Sequence, residues 1–267
     1  MIREQAPAKV NLLLHVGNAR DDGLHELCSL FASLDLADSV TVEEASSDEV
    51  VCPGVPEPNL ALDTLVCFRA EAGPALPPLR VTIEKRIPVA AGLGGGSADA
   101  AAVLRAANEL AGAPLDADGL RALGARIGAD VPSQIEPRHA LVTGAGERVE
   151  PIELPPMTLL LLPDEAGLST ADVYREADRI GSTRAALDPD AARALAARPL
   201  AELAGLLEND LEPATLSLRP DLAGRMDALL DAGALAARVT GSGPTVFGVF
   251  GPGEAPALPD AIRAEVV

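Results

Sequence analysis

Tryptophan is absent from this chain of 267 residues, tyrosine occurs once and phenylalanine four times. Hydrophobic residues still make up 48% of the sequence, mostly as Ala, Leu and Val. A chain of this length can bury a sizeable core in one large domain or two ordinary ones, and here that core has to be aliphatic. Positive charge is scarce too: 21 Lys and Arg stand against 40 Asp and Glu, a formal charge of −19. That balance argues against nucleic acid or an anionic membrane as partner, because phosphate surfaces are bound by basic ones. Any phosphorylated ligand must be held by a local positive site against an unfavourable overall field.

Cysteine is limited to Cys28, Cys52 and Cys67, an odd number with no C-x-x-C spacing. This argues against a disulfide framework or a zinc site and leaves buried free thiols as the expectation. No run approaches the ~18 apolar residues of a membrane span, and the start, MIREQAPAKV, has no apolar signal region, so a soluble cytoplasmic protein is expected. Lysine occurs only at Lys9 and Lys85. Where arginine supplies every other fixed side-chain cation, these two are candidates for a job that needs a compact point charge beside a phosphate or a base.

Against these absences stands one glycine-rich stretch, PVAAGLGGGSADAAAV at residues 88–103. Without a Cβ, Gly92, Gly94, Gly95 and Gly96 can take positive φ and let an anion approach their amides. The alanine-rich run that follows has helical composition and would present free N–H groups and the positive end of its dipole to the same point. Strand, loop and helix come in the order that phosphate-binding folds use, yet neither common fingerprint is complete. The P-loop requires Lys-Ser/Thr where this chain has Ser97-Ala98, and the dinucleotide pattern requires glycine at Ser97. A third kind of phosphate loop is implied.

Along the chain, APAKVNLLLHVGN at residues 6–18 reads as a strand with Val10, Leu12, Leu14 and Val16 on one face and Lys9, Asn11, Leu13 and His15 on the other. Asp21, Asp22 and Gly23 form a turn, with His25 just beyond it. The apolar residues from 27 to 36 lead to a strand from Ser39, and residues 44–58 form a surface connection. A helix is expected over 59–72, a strand over 79–89 feeding the glycine loop past Lys85 and Pro88, and helices from Ser97 to about Ala111 and over 120–128. Asp130, between Ala129 and Val131 and before Pro132, serves either to cap a following helix or as a carboxylate for chemistry. Short strands follow at 139–143 and 147–152, then a buried strand at 157–163, with the domain boundary near residues 150–156. The second half gives a helix from Thr170 to about Arg179, two alanine-rich helices between Pro189 and Leu207, a helix over 220–232, and two strands joined by Gly241-Ser242-Gly243-Pro244. Tyr174 lies on the helix begun by Thr170.

Three segments, APAKVNLLLHV, PVAAGLGGGSADAAA and RVTGSGPTVFGVF, resemble the three ordered motifs of the GHMP kinases, which phosphorylate small alcohols. DGLHEL at 22–27, IGADVP at 127–132, TGAGE at 143–147 and NDLEPA at 209–214 are similar, more narrowly, to the branch of that family acting on the 2-hydroxyl of a cytidine diphosphate methylerythritol. The resemblance runs from about residue 5 to residue 250. It implies an α/β (α+β) fold of two lobes, an N-terminal domain over residues 1–152 and a C-terminal one over 153–267, with the active site between the lobes.

By the same resemblance, Gly92, Leu93, Gly94, Gly95, Gly96 and Ser97, with Pro88 before them, bind the ATP phosphates, and Lys85 lies by the adenine. Lys9 and Asp130 take the catalytic positions: Asp130 accepts the proton of the attacking hydroxyl, and Lys9 keeps that aspartate ionised while balancing charge on the transferred phosphoryl. Asn11, His25, Thr170 and Tyr174 match substrate-binding positions, with His25 hydrogen-bonding the cytosine and Tyr174 stacking on it. Magnesium is expected to arrive with ATP, as no carboxylate cage is evident; Asp99 either helps hold the metal or only favours the helix dipole. The chain departs from the family in having Leu24 where tyrosine is usual, and in the segment Ser133 to Arg138.

Overall fold

The computed structural model describes residues 1–21, 23–55, 60–72, 76–164 and 166–267. Asp22 of the expected turn and Asn59 at the expected helix start lie outside the described residues. The described elements are, in order, β1 (Ile2–Ala19), β2 (His25–Glu44), β3 (Glu49–Val51), α1 (Leu60–Ala72), β4 (Leu79–Glu84), α2 (Gly95–Leu110), α3 (Ala117–Ile127), α4 (Val131–Gln134), β5 (Ala140–Gly144), β6 (Arg148–Pro151), β7 (Thr158–Leu162), α5 (Thr170–Ile180), α6 (Pro189–Ala196), α7 (Leu200–Gly205), α8 (Glu212–Leu218), α9 (Leu222–Asp231), β8 (Ala236–Val239), β9 (Val246–Phe250) and β10 (Ile262–Glu265).

By compactness the chain divides into two units of three segments each. The first unit comprises Met1–Ala8, Leu36–Val89 and Gly94–Arg138; the second comprises Lys9–Asp35, Ala90–Leu93 and His139–Val267. They interleave because β1 and β2, with 18 and 20 residues, are far longer than the usual strand and each contributes to both. The division at residue 152 therefore remains a proposal about sequence modules; compactness cuts the chain elsewhere.

In the first unit, the second half of β2 pairs antiparallel with β4, from Ser39↔Glu84 to Glu44↔Leu79, and β3 runs parallel to β4. Val40, Val42, Val81 and Ile83 from this layer share a core with Leu65 and Phe68 of α1 and with α2. Ala98, Ala100, Ala101, Ala102, Ala106 and Ala107 of α2 are all buried. A helix buried nearly all round must carry short side chains to lie close to its neighbours, which is how an aliphatic, alanine-rich sequence fills a core without aromatics.

In the second unit, residues 27–31 of β2 pair antiparallel with β5, and β5 with β6. A second sheet has the order β10-β7-β9-β8, antiparallel throughout. Leu222 and Leu229 of α9 pack on Leu160, Val239 and Val246 of that sheet. A Cβ at Gly248 would stand 3.1 Å from Leu229, so the glycine seats the helix. A separate cluster joins Leu14 and Val16 of β1 to Val173, Ala177, Leu211 and Ala214.

Several expectations are corrected. β1 begins at Ile2 and is buried on both faces from Ala8 to Leu14, so the alternation does not divide a core face from a solvent face. The apolar run at 27–36 and the strand from Ser39 are one strand, and the connection at 44–58 contains β3. The helix expected from Ser97 starts at Gly95, because Gly94 in the left-handed region (φ 72°) turns the chain into it. The helix α8 and the strand β10 carry no clear periodic signal and were not expected. Cys28 is buried, but Cys52 and Cys67 are only half-buried, and all three are free thiols. No helix among the described residues is long and apolar enough to cross a membrane.

Candidate active site

The candidate residues fall in both units and are described within each. In the first, β4 ends at Glu84 and the next residue, Lys85, carries its ammonium to two carboxylates. It bonds Asp38, and it donates to Asp99 Oδ2 at 2.7 Å. Asp38 is fully buried on β2 and accepts the backbone N–H groups of Arg86 and Ile87 as well, the latter at 2.9 Å. One carboxylate thus fixes both the ammonium and the backbone that leads toward the glycine loop. Burial raises the Asp99 carboxyl to about 7, with Lys85 pulling against the rise and Asp38 adding to it. Burial alone would lower Lys85, but Asp99 and Asp38 outweigh it and hold the ammonium above its ordinary range. The other oxygen of Asp99, Oδ1, is buried with no hydrogen-bond partner among the described residues.

Gly92 and Gly94 both have positive φ, 78° and 72°, as the loop requires. A Cβ at Gly95 would stand 3.1 Å from Ile87 Cγ2 and 3.3 Å from Lys85 Nζ, while one at Gly96 would meet open space. Glycine at 95 therefore admits the lysine, and glycine at 96 leaves room beside the helix start. The amides of Gly95, Gly96 and Ser97 open α2 and have no intrahelical acceptor, the arrangement that suits an anion. Pro88 is half-buried just before this loop.

Asp130 occupies the residue before α4, yet its side chain makes no capping hydrogen bond to that helix. Instead its backbone oxygen accepts from Ser133 Oγ at 2.8 Å. Of the two roles open to it from sequence, capping is not the one its carboxylate performs. Ser133 and Gln134, in the segment that departs from the family, are buried.

In the second unit, Lys9 and Asn11 share one face of β1, as the strand period dictates. Lys9 Nζ donates to Asn11 Oδ1 at 2.7 Å and lies 4.6 Å from the centre of the Phe31 ring, within cation–π range. Asn11 is held in turn: Nδ2 donates to Ser29 Oγ at 2.9 Å, and its backbone N–H donates to Thr240 Oγ1 at 2.9 Å. Both Lys9 and Asn11 are buried. The backbone N–H of Lys9 donates to the carbonyl of Leu93 at 3.0 Å, tying β1 to the first part of the glycine loop. A Cβ at Gly92 would come within 2.6 Å of the Gly243 carbonyl, so this glycine is required by close backbone approach as well as by φ.

His25 opens β2 and places Nε2 2.9 Å from Asp178 Oδ1. Its ring centre lies 5.0 Å from that of Tyr174 on α5, tilted by 39°. Ser169 caps α5, and Thr170 Oγ1 is 2.9 Å from Ser242 Oγ. Leu24, beside His25, is 54% exposed. The structure therefore brings together Lys9 with Asn11, His25 with Tyr174, and Lys85 with the start of α2. Lys9 and Asp130 belong to different units. Among the described residues, no group of three His, Cys, Asp or Glu is arranged to hold a metal.

Sequence reasoning missed Asp38 and Thr240 and left Asp99 unassigned. A carboxylate within LDLADSV was the available signal for Asp38, since a buried charge needs a partner and only two lysines could supply the ammonium. Thr240 gave no signal beyond its place in the third motif.

Comparison with known proteins gives a consistent outcome. The family model for the GHMP kinases N terminal domain matches residues 59–136, and that for the GHMP kinases C terminal matches residues 191–267. The 4-diphosphocytidyl-2-C-methyl-D-erythritol kinase of Rhizobium johnstonii is 39% identical over 259 residues, covering 93% of this chain and 84% of its own. The protein of the same description from Anaeromyxobacter dehalogenans is 44% identical over 257 residues, covering 92% and 79%. A crystal structure of 4-(cytidine 5'-diphospho)-2C-methyl-D-erythritol kinase superposes with a TM-score of 0.81 at 35% identity, covering 99% of this chain and 98% of that one. Homoserine kinase from Cytophaga hutchinsonii, at 20% identity and a TM-score of 0.66 over 95% and 86%, shares the fold.

Proposed function

The chain belongs to the GHMP kinases, and from that premise we propose that it transfers the γ-phosphoryl group of ATP to the 2-hydroxyl of 4-diphosphocytidyl-2-C-methyl-D-erythritol. The products are the 2-phosphate and ADP, in the non-mevalonate route to isoprenoids. The observation that carries this reading is the 39–44% identity to kinases of that description over more than nine tenths of the chain.

The local geometry fits the roles. Glycine at 92, 94 and 96 and the open amides of α2 suit the phosphates of a nucleotide, with Lys85, paired to Asp38 and Asp99, packed beside Gly95. Magnesium, brought by the nucleotide, would neutralise phosphate charge. Phosphoryl transfer asks the protein for positioning and charge stabilisation rather than covalent help. Asp130, whose carboxylate is not spent on capping α4, takes the proton of the attacking hydroxyl. Lys9, oriented by Asn11 and Phe31, balances the charge on the transferred group. With Nε2–H of His25 donating to Asp178, Nδ1 is left as an acceptor suited to the exocyclic amine of cytosine, and Tyr174 offers the ring on which the base stacks.

The test is a coupled assay of ADP release with magnesium-ATP, offering 4-diphosphocytidyl-2-C-methyl-D-erythritol, homoserine, mevalonate and galactose in parallel. Turnover on the cytidine compound alone is the expected result. The exposed Leu24, where the family usually has tyrosine, is the observation on the side of another alcohol, and turnover on homoserine, mevalonate or galactose instead would establish that reading. Asp130→Asn should lower turnover by about 10²–10⁴-fold while nucleotide binding persists; unchanged turnover removes Asp130 from its role.

A further inference from the structure

We propose that Asn209 is a positioning residue for phosphoryl transfer, acting through Thr240 and Asn11 on the ammonium of Lys9. This rests on the kinase reading above and adds to it a residue that touches neither substrate nor nucleotide.

Asn209 is buried just before α8, and its amide is fully used. Nδ2 donates to the carbonyl of Val239 at 2.8 Å and to that of Gly241 at 2.9 Å; Oδ1 accepts from the N–H of Leu211 at 2.9 Å. The two carbonyls it grips flank a single residue, Thr240. The side chain of Thr240 is the one that meets β1: Oγ1 accepts the Asn11 N–H at 2.9 Å and lies 3.5 Å from Asn11 Oδ1. Asn11 Oδ1 is the acceptor that orients Lys9 Nζ. One amide therefore clamps the backbone on both sides of the hydroxyl that sets the asparagine that sets the lysine.

Two further contacts leave little slack. Asn209 bridges Leu14 on the same strand that carries Lys9 and Asn11, with Leu14 N–H donating to Glu208 O and Asp210 N–H donating to Leu14 O, both at 2.9 Å. In the turn at 241–243, a Cβ at Gly241 would stand 3.2 Å from Asn11 Oδ1 and 4.0 Å from Lys9 Nζ. The turn thus passes directly over the lysine, and a shift of its backbone is felt there at once. Asparagine is the side chain that can do this, since two donors and one acceptor are needed at a single site: aspartate would turn an acceptor toward two carbonyls, and leucine would leave them unpaired.

The experiment uses the full chain and compares Asn209→Asp, Asn209→Ser and Thr240→Val with Leu229→Ala, a core substitution on the buried face of α9 that serves as a control for lost stability. Wild-type turnover on the cytidine substrate is measured first; its absence would defeat the kinase reading itself, separately from this one. For the Asn209 variants and Thr240→Val, kcat per folded molecule, scaled by circular dichroism, should fall at least tenfold. KM for both substrates and binding of a fluorescent ATP analogue should change less than threefold. The double variant Asn209→Ser with Thr240→Val should lose little more than the worse single one, as expected of residues acting along one path. Leu229→Ala should lower the melting temperature yet keep its kcat per folded molecule. The proposal is overturned if folded Asn209 variants keep wild-type kcat, if Leu229→Ala loses kcat to the same extent at equal loss of stability, or if the Asn209 and Thr240 losses multiply. Should Asn209→Asp fail to fold, Asn209→Ser and Thr240→Val decide the matter by the same criteria.

Discussion

The chain has two lysines, and it surrounds them differently. Lys9, in the second unit, meets dipoles there: the amide oxygen of Asn11 and the face of Phe31. Lys85, in the first, meets two carboxyl groups, those of Asp38 and Asp99. An amide oxygen orients an ammonium without neutralising it, whereas a buried carboxylate does both. The difference suits one lysine to stabilising a transferred phosphoryl group and the other to holding the glycine loop in shape beside the nucleotide.

Substitution can break that comparison at either end. The largest effect is expected at Lys85: Lys85→Met leaves two buried carboxylates facing each other and should destabilise the fold by about 3–5 kcal/mol, read as a fall in the urea midpoint. Adding Asp99→Asn should return much of the loss, because the remaining carboxylate, Asp38, keeps its two backbone N–H partners. At Lys9 the cost should appear in rate instead. Lys9→Met should lower kcat by roughly 10²–10³-fold with a much smaller change in stability. Equal stability losses at the two positions would erase the distinction.

The smallest effect is one of pH, and it sharpens the comparison by isolating the crowded carboxylate. Asp99 stands at about 7 in the fold against its ordinary value of 3.8. A raised carboxyl binds its proton more tightly when folded, so its contribution to stability is fully present below about 3.8, declines as pH rises, and is gone above about 7. Urea midpoints of wild type and Asp99→Asn should therefore agree most closely near pH 4 and diverge in the variant's favour up to pH 7. A constant offset across that range would show that Asp99 does not carry the proton.

Much of this was legible in the sequence because it rests on local rules. Glycine at 92, 94, 95 and 96 announced a loop with positive φ and close approaches, and the scarcity of lysine singled out Lys9 and Lys85. The hydrophobic periods of β5, β7, α5 and β9 gave those elements to within a residue or two. What stayed hidden depends on long-range pairing. β1 was legible as a strand over 6–18, but its start at Ile2 and its burial on both faces were not, since alternation alone implies a solvent face. The partnership of Asp38 with Lys85 joins residues 47 apart, and that of Asn209 with Gly241 joins residues 32 apart; no spacing rule reaches either. β10 is short and contributes only one buried side chain, too little for a pattern.

The interleaving of the two units also orders events during synthesis. Every segment of the first unit has left the ribosome once residue 138 emerges, so that unit can close on an incomplete chain. Residues 9–35 cannot do the same. They include Lys9 and Asn11, and their partners on β5, α8 and the turn at 240–245 all follow residue 138, the last two far behind it. The middle of the first strand and the start of the second pair with each other, but each keeps an apolar outer edge without its partner until later segments arrive. The stretch on which chemistry depends is among the last to find its place.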